Sequence, residues 1–204
     1  MNLKTIYKKF EDRKPKPEGK YKRFAILIPL IERNSKLHLL FEIRSQKLNT
    51  QPGEICFPGG GIEKNETPMK SSIRETCEEL NIDESNIRVI GSTDYIITPF
   101  NLILYPFVGI LENIDFKNIN FSHDEVAEIF TVPLNYFMKN EPHKYYVTTK
   151  LDVPEDFPYH KIQNGRVYNW RTGRYPILFY EYKKYVIWGM TARIINNFIN
   201  ILKS

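Results

Sequence analysis

Glu75, Glu78 and Glu79 stand at i, i+3 and i+4 of a stretch whose ends read as the ends of a helix. Thr67 is a suitable N-cap, and Pro68 falls at the first helical position, where its missing N–H costs nothing. Asn81 suits the left-handed position that closes a helix, second only to glycine. These signals predict a helix over about 67–80. Projected at about 100° per residue, Met69, Ile73, Cys77 and Leu80 fall together and predict a buried stripe. The three glutamates fall on the opposite side, with Arg74 flanking Glu78. Three carboxylates so placed repel one another and weaken an isolated helix. A divalent cation relieves that repulsion, and an all-carboxylate set suits Mg²⁺ or Mn²⁺. By itself an E-x-x-E-E string is an ordinary solvated acidic face. The turn just upstream, Phe57-Pro58-Gly59-Gly60-Gly61, changes that reading, because a glycine backbone can approach a ligand or metal closely.

The rest of the chain frames this helix. Leu3, Ile6, Tyr7 and Phe10 have helical spacing over 2–12, and Lys14 to Gly19, with two prolines and a glycine, reads as a linker. Residues 24–30 and 37–43 read as strands joined by a turn at Asn34-Ser35, and 50–61 as turn-rich. Further strands are expected near 87–97, 102–110 and 126–131, then a short helix opening at Pro133. The segment 140–175, rich in Pro, Tyr and Asn, reads as an insertion, either a lid or an extra hairpin. Two more strands over 176–188 and a closing helix over 189–202 complete an α/β (α+β) chain, a mixed sheet with helices on its faces. The expected division is a basic helix and linker over 1–22 and one domain over 23–204.

Composition narrows the class. The 204 residues suffice for one domain with a sizeable core. No apolar run approaches the roughly 20 residues of a membrane-spanning helix, and no signal-peptide core follows the first lysines. Cys56 and Cys77 form no C-x-x-C pair, so neither a disulfide framework nor a zinc site is indicated and a cytoplasmic setting is expected. The net charge is +5, with nine bases and three acids, +6, in residues 1–23 and the remainder at −1. Such an arm can attract a polyanion, but a solvated terminus is the simpler reading and no nucleic-acid motif accompanies it.

Gly60-x5-Glu66-x7-Arg74-Glu75-x-x-Glu78-Glu79-x-Asn81-Ile82 resembles the Nudix box, G-x5-E-x7-R-E-U-x-E-E-x-G-U, where U is bulky and apolar. Six of seven fixed positions match. Asn81 replaces the last glycine, and Thr76 occupies a usually aliphatic position. The resemblance implies a Nudix-type α/β/α sandwich and hydrolysis of a nucleoside diphosphate derivative with Mg²⁺ or Mn²⁺. It also implies Glu75, Glu78, Glu79 and the Gly60 carbonyl as metal ligands, with Arg74 and Glu66 orienting the carboxylates and Glu75 as the preferred proton acceptor.

Upstream, Arg44-Ser45-x3-Asn49-x3-Gly53-x3-Phe57-Pro58-Gly59-Gly60 is similar to the motif of coenzyme A pyrophosphatases, L-L-T-x-R-[SA]-x3-R-x3-G-x3-F-P-G-G. Phe41, Glu42 and Asn49 stand where Leu, Thr and Arg are expected. Thr98-Pro99-Phe100, Asp124 to Leu134 and Ile187 to Ala192 resemble later stretches of the same subfamily. This implies cleavage of coenzyme A or an acyl derivative, with Arg44, Ser45, Phe57 and Glu125 on the substrate side. Glu125 reads equally as an extra metal ligand, the general base or a rim residue. Trp188 reads as core packing at a strand-to-helix turn, and His123, His143 and His160 as surface residues. The expected partner is a small nucleotide, with a homodimer left open. The rival readings are a Nudix enzyme for ADP-ribose, a nucleotide sugar or a dinucleotide, a non-catalytic nucleotide-binding module, and an RNA-end-processing enzyme.

Overall fold

Alternation along one strand organises the molecule. In the computed structural model, which describes residues 1–204, helix α1 (Leu3–Phe10) precedes strand β1 (Lys22–Arg33). On β1, Ile26, Ile28 and Leu30 belong to one buried cluster and Leu27 and Ile31 to another, as the period of two along a strand requires. β1 turns into β2 (Lys36–Arg44) through Asn34 and Ser35, both at positive φ, the geometry of a tight hairpin turn. Next come the short strands β3 (Ile55–Cys56) and β4 (Gly59–Gly61), helix α2 (Pro68–Leu80), and strands β5 (Ile87–Ser92), β6 (Ile96–Ile97), β7 (Leu102–Leu111) and β8 (Val126–Pro133). All eight strands form one sheet with the central order β3-β2-β1-β7-β5. β1 and β7 run parallel and the other pairs antiparallel, so the sheet is mixed.

After helix α3 (Leu134–Lys139), strands β9 (His143–Thr149), β10 (Gly173–Tyr182) and β11 (Tyr185–Trp188) form a second, three-stranded sheet, and helix α4 (Gly189–Lys203) closes the chain. The segment over 140–175 is a hairpin, its arms β9 and β10 joined by a long excursion in which Phe157, Tyr159, Tyr168 and Trp170 pack edge to face. Ala192, Ile194, Ile195, Phe198 and Ile199 of α4 share the larger core with Phe41, Phe57, Phe130 and Phe137. Leu80 of α2 belongs to the smaller core on the other side. The sheet thus lies between α2 and α4, a helix–sheet–helix sandwich. No residue of α1 is buried.

The structure turns α2 away from its expected orientation. Thr67 caps it by accepting from the Lys70 N–H, and Asn81 closes it at φ 50°, ψ 53°, as expected. Its buried residues, however, are Ser71, Ser72, Thr76, Glu79 and Leu80, while Met69 is 45% exposed and Ile73 and Cys77 are half-buried. The small hydroxyl side chains let the helix axis sit close to β1, and they meet their polar needs locally. Thr76 Oγ1 donates to the Ser72 carbonyl at 2.6 Å and Ser72 Oγ to the Met69 carbonyl at 2.8 Å. A hydrophobicity projection ranks serine and threonine as polar and so misses a face chosen for size. Thr76, an anomaly by pattern, is part of that close fit.

Trp188 also departs from expectation. It lies at the strand-to-helix turn, but it is 44% exposed and stacks on Phe179 at 5.8 Å instead of entering the core. Expected strand 87–97 is interrupted, β5 and β6 pairing separately with β7.

The two faces of α2 are separable by mutation. Ser72→Leu is expected to destabilise the protein by about 1–3 kcal/mol through overpacking, whereas Met69→Ser stays within about 0.5 kcal/mol. Urea unfolding followed by circular dichroism reads both, and equal costs contradict this packing.

Candidate active site

The glycine turn and the glutamate helix are in direct contact. β4 lies against the start of β1, Gly59 opposite Ile26 and Gly60 opposite Ala25. A Cβ on Gly59 would strike the Ala25 carbonyl, and its φ of 150° is itself a glycine conformation. A Cβ on Gly60 would fall inside the Glu75 carboxylate. Only glycines allow the strand and the helix to approach this closely. The Gly59 N–H donates to Glu79 Oε2 at 2.7 Å, and Ser71 Oγ reaches the Gly61 carbonyl at 3.2 Å.

Arg74 binds the outer half of the site together. Its Nε and Nη2 meet Glu66 Oε1 and Oε2 at 3.0 and 3.1 Å, a two-pronged contact that suits a planar guanidinium. Nη1 donates to Glu75 Oε1 at 2.9 Å and Glu78 Oε2 at 3.1 Å, and Nη2 also reaches the Gly61 carbonyl at 3.2 Å. Glu66 additionally accepts the Glu63 N–H at 3.0 Å. These bonds hold Glu66 below the usual carboxylate range, Arg74 foremost, and they keep Arg74 firmly charged.

The inner half is short of positive charge. Glu79 is 4% exposed, and burial first, then the charge of Glu42, pushes its carboxyl far up. Burial likewise raises Glu75 against the pull of Arg74. Glu42, on β2, is 1% exposed and is also raised by burial. Its Oε1 accepts from Cys56 Sγ at 3.2 Å, and its Oε2 has no partner. Burial and the Glu42 charge push the Cys56 thiol up in turn. Sequence reading passed over Glu42 as a departure from a motif. The available signal was a charged residue inside the apolar run Leu39-Leu40-Phe41-Glu42-Ile43.

Of the remaining site residues, the fold brings Glu125 to the cluster, where its charge acts on Glu42, Glu75 and Glu79. The loop carrying it is pinned by Ser122 N–H to the Glu79 carbonyl and Ser45 N–H to the Glu125 carbonyl, both at 2.8 Å. Arg44 lies close enough to act on Glu42, but its Nε donates to the Thr50 carbonyl at 3.3 Å. Ser45 and Phe57 both lie buried beside the turn. Ser45 is buried, its Oγ accepting from the Lys47 N–H while its own N–H holds the Glu125 carbonyl. Phe57 is buried against the Phe41 ring at 4.8 Å, where it packs the core beneath the turn. His123, His143 and His160 are exposed, as expected, His123 resting edge-on against Phe121.

Three acidic side chains are not drawn up into a ready cation cage. Glu78 points outward, 56% exposed and tied to Arg74. The donor set nonetheless fits a hard divalent cation. The available atoms are carboxylate and carbonyl oxygens, one buried carboxylate oxygen has no hydrogen-bond donor, and the bare Gly60 backbone lets the Glu75 carboxylate lie directly against it.

The raised carboxyls set a pH dependence in metal-free protein. Glu42 and Glu79 hold protons more tightly folded than unfolded, so their contribution is present below the ordinary carboxylate value and is lost as pH rises toward their folded values. With chelator present, Tm is expected to fall as pH goes from about 5 to about 9, and Glu79→Gln to flatten the decline. Thermal melts across that range test it. A wild-type Tm that rises instead contradicts the charge balance described.

Comparison with known proteins adds independent findings. A NUDIX domain profile matches residues 21–151, well over half of the chain. The peroxisomal coenzyme A diphosphatase NUDT7 of Mus musculus is 31% identical over 183 residues, covering 84% of this chain and 66% of that protein. A Photorhabdus laumondii Nudix hydrolase, NudL, is 29% identical over 201 residues, covering 96% of this chain and 95% of that protein. The mitochondrial Nudix hydrolase 15 of Arabidopsis thaliana is 30% identical over 182 residues, covering 86% of this chain and 57% of that protein. This chain thus spans less than two thirds of the mouse and Arabidopsis proteins' lengths.

Proposed function

This chain belongs to the Nudix family of hydrolases, and we propose that it cuts the diphosphate of coenzyme A or an acyl-coenzyme A, releasing adenosine 3′,5′-bisphosphate and (acyl-)phosphopantetheine. The observation that carries this reading is the run from Arg44 to Gly60, similar to the coenzyme A pyrophosphatase motif. Its arginine stands at the rim of the carboxylate cluster, and its glycines lie under Glu75 and Glu79. The name of the mouse relative agrees with it. Arg44 is proposed to meet a substrate phosphate. Asn49, in place of the motif's second arginine, offers a hydrogen bond where the related proteins offer a charge.

Nudix enzymes generally use divalent cations, and Mg²⁺ or Mn²⁺ is proposed here, held by Glu75, Glu78, Glu79 and the Gly60 carbonyl. When bound, such an ion neutralises the charge that gathers on the diphosphate oxygens. Arg74, itself gripped by Glu66, orients Glu75 through Oε1. Glu75 is the proposed acceptor of the attacking water's proton, since burial raises its basicity and Arg74 contacts only its other oxygen. Glu78 is tied by an exposed contact of the kind worth about 1 kcal/mol or less, so it is free to turn. The two free cysteines accord with a cytoplasmic setting.

A substrate panel with Mg²⁺ or Mn²⁺ tests the assignment. Coenzyme A is expected to show a kcat/KM at least about tenfold above ADP-ribose and diadenosine polyphosphates, a difference of roughly 1.4 kcal/mol. The reverse order moves the enzyme to another substrate class. Glu79→Gln is expected to lower kcat by about 10²–10³-fold, near 3–4 kcal/mol of barrier. Full activity in that variant rules out the glutamate-cluster mechanism. Arg44→Ala is expected to raise KM for coenzyme A about tenfold, the scale of one lost charge-assisted hydrogen bond.

A further inference from the structure

Glu42 is the least explained charged residue in the fold. It sits in the middle of the sheet, opposite Cys56 on β3 and Ile129 on β8, and is 1% exposed. A carboxyl removed from water normally has both oxygens engaged, because an idle buried acceptor forfeits its hydration without replacement. Here Oε1 has the weak Cys56 thiol donor, Oε2 has no N–H or O–H donor, and the other polar group in hydrogen-bond reach is a second acid, Glu79. The nearest guanidinium, Arg44, spends its Nε on the Thr50 carbonyl. The neighbouring acid, Glu79, is also buried, and its firm donor is the Gly59 N–H at 2.7 Å. The similar coenzyme A pyrophosphatase motif carries a neutral threonine at this position, so this chain has placed an additional anionic oxygen donor behind the glutamate helix.

We propose that Glu42 is a further oxygen ligand of this protein's divalent cation site, lending its idle Oε2 to an ion shared with Glu79. The inference rests on the cation-binding reading of the Nudix helix. It gives the unpartnered atom a partner and sets a cation between two acids that are otherwise forced together. A hard ion such as Mn²⁺ or Mg²⁺ suits the site, because every candidate donor is oxygen and the Cys56 thiol is held in its neutral form by burial. The contrasting arrangement is a buried acid pair that plays a packing role only.

Direct binding separates these. Mn²⁺ is titrated into chelator-stripped wild type, Glu42→Gln and Glu42→Thr, with free Mn²⁺ followed by electron paramagnetic resonance and Tm measured with and without the ion. Both variants are expected to bind Mn²⁺ about 10- to 100-fold more weakly. Their Tm in chelator is expected to equal or exceed that of wild type, since a buried charge has been removed, and the rise in Tm on adding Mn²⁺ should shrink. Wild-type Mn²⁺ affinity in a folded Glu42→Gln or Glu42→Thr overturns the assignment of Glu42 alone. If wild type itself binds no Mn²⁺, the cation-site reading of the helix is what falls. Glu42→Thr supplies the residue of the similar motif, so a folded comparison remains if the amide variant packs poorly.

Discussion

The contact between α2 and the Gly59–Gly60 backbone underlies most of what this protein is proposed to do. Ser72 and Thr76 bring the helix down onto β1, and the two glycines keep the adjoining strand clear of side chains. Glu75 can then lie flat against Gly60, and Glu79 can take the Gly59 N–H. A larger residue on either surface separates helix from strand and moves the carboxylates away from the backbone carbonyl beside them. The site is therefore a consequence of packing by small residues, and its acidity is carried on a rigid support.

That approach produces an uneven charge distribution. Arg74 and Glu66 balance the solvent side through a two-pronged ion pair that also restrains Glu75 and Glu78. Nothing comparable serves Glu79 and Glu42 inside. Buried anions without counter-charge are costly, and proteins meet that cost with a proton or a metal. The same asymmetry accounts for the expected loss of metal-free stability with rising pH and for the direction in which a cation acts.

The second sheet and α4 support the opposite face. Thr191 Oγ1 at the start of α4 donates to the Ile55 carbonyl at 2.9 Å, tying that helix to the short strand that leads into the glycine turn. Phe57, at the entrance to that turn, stacks into the core through Phe41. The turn is thus braced from beneath by aromatic packing and from above by the helix.

Much of this was legible in the amino-acid order. Thr67, Pro68 and Asn81 delimit α2 because capping depends on immediate neighbours, and Asn34-Ser35 sets a hairpin for the same local reason. The spacing from Gly60 through Glu66 and Arg74 to Glu79 identified the family and named most of the candidate site, since those residues lie on one turn and one helix whose geometry is regular. The second hairpin was undecided because its arms, β9 and β10, are separated by a long excursion and lack a tight-turn signal. The face of α2, the burial of Phe57, the exposure of Trp188 and the isolation of Glu42 lay beyond sequence reading. Each depends on which strand or helix comes to lie opposite, and that is settled by residues distant along the chain. The sequence by itself determined the helix, its caps and its set of glutamates. Only the tertiary structure decided which of those glutamates are buried and which buried acid joins them, because burial is a property of the whole packed sheet.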